Sequence, residues 1–123
     1  MRHDGPGMRT DATDWLAYCL AKPGAWRDEP WDGQVVVKVA ERIFAFLGPA
    51  PPVVSIGVKC GNREAADLWL ERHPGAGRWM PHLGAGGWNS DSVDALTDDD
   101  VAELIDRSYE LVLARLPRSR RPE

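Results

Sequence analysis

The sequence predicts an α+β fold of two layers, an antiparallel sheet with helices on one face, in the order α-β-β-β-α-β-β-α. Three observations carry this expectation. Apolar residues recur at helical spacing near both ends of the chain and once in the middle. Between those segments lie β-branched or alternating apolar runs, from Val35 to Val39, Arg42 to Leu47 and Val53 to Lys59. Glycine and proline clusters separate the runs, notably Pro23-Gly24, the stretch from Gly48 to Pro52, and Gly84 to Gly87. With 123 residues the chain has room for one core.

Residues 1–10 mix glycine, proline and charge without periodicity and read as a disordered tail; the domain is expected to span 11–117, followed by a basic tail at 118–123. The first helix is predicted from Asp11 to Lys22, with Asp11 or Thr13 as N-cap, Trp15 and Cys19 on its apolar stripe and Pro23-Gly24 as its stop. A short strand at Trp26, a turn through Asp28, Pro30 and Gly33, and a longer strand from Val35 to Val39 follow. Ala40-Glu41 would need positive φ at both positions to close a two-residue hairpin, so a longer or bulged turn is expected before Arg42 to Leu47. The proline-rich stretch from Gly48 to Pro52 is a stiff connector. Val53 to Lys59 is a strand with Val54, Ile56 and Val58 on one face. Asn62 then caps a helix whose inner side is Ala65, Leu68, Trp69 and Arg72, ending before Pro74. Gly75 to Ser90 reads as two short bent strands joined at Gly84-Ala85-Gly86-Gly87. Thr97 caps a last helix with three acids in its first turn and a stripe of Val101, Leu104, Ile105, Ser108, Leu111, Val112 and Leu116.

Composition narrows the function classes. Net charge is −4, but residues 1–90 balance ten bases against ten acids. Eight of the remaining acids fall between Asp91 and Glu110, and Arg115, Arg118, Arg120 and Arg121 close the chain. Such a balance argues against wholesale phosphate binding while leaving room for a local basic face. No apolar run approaches the length of a bilayer span and no secretory signal opens the chain, so a cytoplasmic protein without membrane contact is expected. Cys19 and Cys60 lack CxxC spacing and read as small core residues, although Cys60 precedes a helix N-terminus that would lower a thiol's pKa. His3, His73 and His82 show no metal-ligand spacing, so neither a metal nor a cofactor is expected. The acids at Asp28, Glu29 and Asp32, and from Asp98 to Asp100, suit turn and cap roles rather than acid/base work. Gly84 to Gly87 lacks the lysine and helix of a phosphate loop. Of six tryptophans, Trp15 and Trp69 sit on helix stripes and read as core, whereas Trp31, Trp79 and Trp88 lie in turns or short strands.

A series of short motifs runs in order from about residue 13 to 121: Cys19 to Ala25, Glu29-Pro30-Trp31, Val37-Lys38-Val39 before Ile43-Phe44-Ala45, Val58-Lys59-Cys60, Pro81-His82-Leu83-Gly84 with Gly87-Trp88-Asn89, and Leu104 to Tyr109 through Arg115-Leu116-Pro117. In these the chain resembles the MmcQ/YjbR family of small bacterial proteins. The resemblance implies a double-wing, frataxin-like fold and a DNA-binding, non-enzymatic protein. Where many relatives carry basic residues in the last hairpin, this chain has Gly84-Ala85-Gly86-Gly87, and Ala40-Glu41 occupies the other wing tip. On this reading Lys38, Lys59, His82, Trp88 and Asn89 form the nucleic-acid or ligand-binding patch of a monomer, with no catalytic residue. The alternative is a non-catalytic module that binds a small ligand or a partner protein through the Trp/Gly-rich final hairpin.

Overall fold

In a computed structural model, residues 13–122 are described; the expected tail at 1–10 lies outside them. Six strands form one antiparallel sheet in the order β1-β2-β3-β4-β6-β5. In chain order the elements are α1 (Trp15–Leu20), β1 (Ala25–Trp31), β2 (Gln34–Val39), β3 (Arg42–Gly48), β4 (Ser55–Lys59), α2 (Arg63–Arg72), β5 (Gly77–Trp79), β6 (Trp88–Ser92) and α3 (Asp98–Ala114). The α+β class and antiparallel sheet are those the sequence predicts, with one strand more before α2 than the expected order allows. One core cluster draws on all three helices, including Trp15 and Cys19 of α1, Ala66 of α2 and the α3 stripe, so the helices share one face of the sheet.

Several element boundaries differ from expectation for identifiable reasons. Helix α1 starts at Trp15 because Asp14 is its N-cap, accepting from the Ala17 N–H at 3.0 Å. The hydroxyl of Thr13 instead donates to Asp98 at 3.0 Å. Strand β1 continues through Asp28-Glu29-Pro30, leaving only Asp32-Gly33 for the turn. An edge strand tolerates that proline, since one row of its backbone groups faces away from the ladder. The β2–β3 hairpin closes on two residues after all, with only Ala40 at positive φ (53°). Its irregularity has moved into β3, where the register jumps leave Phe44 and Leu47 as extra residues. Val54 lies outside β4 and is exposed. Helix α2 turns Ala66 inward, with Trp69 half-buried, while Leu68 is exposed. On α3 Tyr109 replaces Leu111 in the buried stripe, and its hydroxyl donates to the Pro23 carbonyl at 2.7 Å.

The sheet is not evenly knit. Strands β3 and β4 share one paired position, Phe46 opposite Gly57, and then part. The buried Ser108 of α3 bridges the gap: its hydroxyl donates to the Phe44 carbonyl at 2.6 Å and accepts from the Lys59 N–H at 2.9 Å. The bulge at Phe44 frees that carbonyl, and a serine at this one point of the apolar stripe satisfies both orphaned backbone groups. On the opposite face Phe46 meets Trp88 edge-on at 5.6 Å and 80°.

Candidate functional site

Where β3 and β4 part, a cleft of about 540 Å³ opens. Its walls come from four places: Arg42, Ile43 and Phe46 of the β2–β3 hairpin, Lys59 of β4, the β5–β6 connection with His82, Leu83 and Trp88, and Val112 and Arg115 of α3. The floor is apolar and the rim carries three cations. Among the described residues none of Arg42, Lys59 and Arg115 pairs with a carboxylate. The one carboxylate of the lining, Glu41, is engaged by Arg120 at 2.8 Å. Lys59 is fixed by two backbone carbonyls, Gly61 at 3.1 Å and Gly86. Burial, with the neighbouring charge of Arg115, lowers its pKa from the ordinary lysine value.

Local backbone strain collects at the same rim. Among the described residues Ala40 and His82 are the non-glycine positions with positive φ, 53° and 68°. Ala40 immediately precedes the cleft residues Glu41 and Arg42, and His82 lines the cleft itself. The left-handed conformation costs such residues about 1 to 2 kcal/mol each. The β5–β6 connection holds its shape through Gly84 N–H to Met80 O at 2.8 Å and through Gly87, whose carbonyl accepts from the Cys60 N–H at 2.8 Å. Gly87 has φ 93°, and a Cβ there would lie 1.9 Å from the Gly61 carbonyl oxygen. Only glycine allows this approach of backbone to backbone.

Of the five residues expected to bind, three meet at the cleft: Lys59, His82 and Trp88. Lys38 lies elsewhere, paired with Asp28 at 2.8 Å and 5.0 Å above the Trp26 ring. Asn89 is fully buried; it accepts from Arg63 at 2.7 Å and donates to the Ala66 carbonyl at 3.0 Å, which ties α2 to β6. Arg42 and Arg115 are the cleft cations outside that set of five, one beside a wing tip and one opening the arginine-rich end. That end does not trail away. Arg121 donates to the Leu116 and Ala114 carbonyls at 3.0 and 3.2 Å, and Arg120 reaches Glu41 of the cleft lining, so the segment folds back on the end of α3.

The expectation for Cys60 is reversed. Burial pushes its thiol up to about 12, outweighing the helix N-terminus behind it, and Cys19 is raised to about 12 in the same way. Among the described residues no group of His, Cys, Asp and Glu side chains is arranged to hold a metal ion, and no helix is long and apolar enough to cross a membrane.

Fold and cleft together define a small single-sheet α+β protein with a cation-rimmed cleft between two hairpins and the end of its last helix. The chain belongs to the YjbR family, whose model matches residues 20–111. It is 29% identical over 111 residues to the uncharacterised protein YjbR of Escherichia coli K12, covering 89% of this chain and 92% of that protein. The YjbR protein of Escherichia coli O157:H7 matches to the same extent. The crystal structure of Deinococcus radiodurans protein DR2400 shares the fold, with a TM-score of 0.77 at 21% identity, over 87% of this chain and 82% of that one.

Proposed function

We propose that this YjbR-family chain is a non-enzymatic binding protein that takes an anionic ligand into the cleft between β3 and β4. The observation that carries the reading is the set of Arg42, Lys59 and Arg115 around an apolar floor, without a carboxylate to balance them among the described residues. Like charges held together in a partly buried setting repel, and an entering anion relieves that repulsion. Net charge −4 is no obstacle, because the charge is segregated. The acids Asp98 to Asp100 lie in the first turn of α3, and Arg115 caps its other end, about 25 Å away for 17 residues. Binding rather than turnover fits the side chains: Lys59 is held by carbonyls and Glu41 by Arg120. Calorimetry with inorganic pyrophosphate at low salt tests this. Binding by the native chain that is lost in an Arg42→Ala/Arg115→Ala double variant supports it, and no heat of binding refutes it.

A DNA-binding role is the second reading, favoured by Arg118, which is exposed just beyond the C-terminal end of α3 and adds to the cleft's cations. The wing tips Ala40-Glu41 and Gly84 to Gly87 add no cation of their own, and Lys38 is already paired. Salt-dependent retention on duplex DNA that weakens in an Arg118→Ala variant supports this reading; flat curves at low salt rule it out.

A further inference from the structure

An inorganic anion would satisfy the rim of the cleft but leave its floor unexplained. Ile43, Phe46, Leu83, Trp88 and Val112 present apolar surface below the three cations. Trp88 is the fixed part of that floor, since the Phe46 ring braces it edge-on at 5.6 Å. We infer that the cleft takes a nucleoside phosphate, with its ring against Trp88 and its phosphate among Arg42, Lys59 and Arg115. This rests on the anion-binding reading above and adds the class of ligand.

Three features select that class. The volume of about 540 Å³ suits a small organic molecule, within the ~300 to 1,000 Å³ typical of such sites. A flexible aliphatic tail loses conformational freedom when it is laid on such a floor, whereas a rigid flat ring stacks on one braced aromatic face in a cleft open along its mouth. The rim also carries an imidazole, His82, which suits a ring with a hydrogen-bonding edge better than a plain hydrocarbon ring. A free nucleotide and the end of an unpaired nucleic-acid strand both present this chemistry.

Calorimetry of the full chain with adenosine monophosphate, inorganic phosphate and a phosphorylated single-stranded oligonucleotide tests the inference. Adenosine monophosphate is expected to bind about tenfold tighter than phosphate, from stacking on one aromatic ring. Trp88→Ala is expected to bring the affinity for adenosine monophosphate down to that for phosphate, and Trp88→Phe to keep most of the difference. Cooperative urea unfolding serves as the check that each variant is folded. Equal affinity for phosphate and adenosine monophosphate, or an advantage that survives Trp88→Ala, overturns the inference and leaves the anion site standing. Binding of none of the three overturns both. An oligonucleotide that binds tighter than the mononucleotide supports the ring-and-phosphate chemistry with a strand as its source, and one that does not supports it with a free nucleotide.

Discussion

Asp91 offers a quantitative test of the fold, away from the cleft. It sits on β6 at 1% exposure, and neither carboxylate oxygen reaches a hydrogen-bond partner among the described residues. It fits only because its neighbour across the ladder is glycine: a Cβ on Gly77 would fall 2.2 Å from its Oδ1. Burial raises its pKa from 3.8 to about 6, and the nearby Trp69 indole N–H and His73 offset this only in part. In the folded protein the carboxyl therefore holds its proton where the unfolded chain has lost it. Stability from this group is greatest below 3.8 and is lost as pH rises through about 6. At about 1.36 kcal/mol per pH unit the interval is worth at most about 3 kcal/mol. Asp91→Asn removes the titration at nearly constant shape. Urea unfolding of both proteins across a pH series isolates the effect, because every other group cancels in the difference. The variant's stability relative to the native chain is expected to rise by about 2 to 3 kcal/mol between the two pKa values. A difference that stays flat across that window refutes the burial argument.

Two further outcomes follow from the way β3 and β4 part. Ser108→Ala leaves the Phe44 carbonyl and the Lys59 N–H without their shared partner, so unfolding free energy is expected to fall by about 1 to 3 kcal/mol, and binding of pyrophosphate to weaken as Lys59 loosens. Gly87→Ala combines positive φ with a 1.9 Å clash against a carbonyl oxygen, and a loss of about 2 kcal/mol or more is expected in thermal unfolding.

Local signals in the sequence carry the helices and most strands because their causes are local. Asn62 and Thr97 cap α2 and α3 as read, accepting from Ala65 at 2.8 Å and Asp100 at 3.1 Å. The failures arise where a distant residue decides. β1 runs through Pro30 because it is the sheet's edge, a fact of topology rather than composition. Where β3 and β4 part, the residue that bridges them, Ser108, lies 64 and 49 residues away in sequence. Periodicity places Ser108 on the apolar stripe and is silent on that role. Asp91 was visible only as one of a block of acids, yet it alternates with Asn89 and Val93, all three buried. That period of two, polar residues included, marks the inner face of β6 at Asn89 and Asp91 and carries on to Val93 just beyond it. Arg115 and the arginines after it read as the end of the chain; their return to Glu41 depends on where α3 stops relative to the β2–β3 hairpin.

The most direct test of the cleft as an anion site is residue-resolved. In an amide and indole NMR titration with inorganic pyrophosphate, shifts are expected at Arg42, Lys59, Gly86 and Arg115 and at the Trp88 indole. The amides of Asp98 to Asp100, at the far end of α3, should stay in place. Shifts confined to Lys38 and its neighbours, or none at all, contradict the assignment of this cleft.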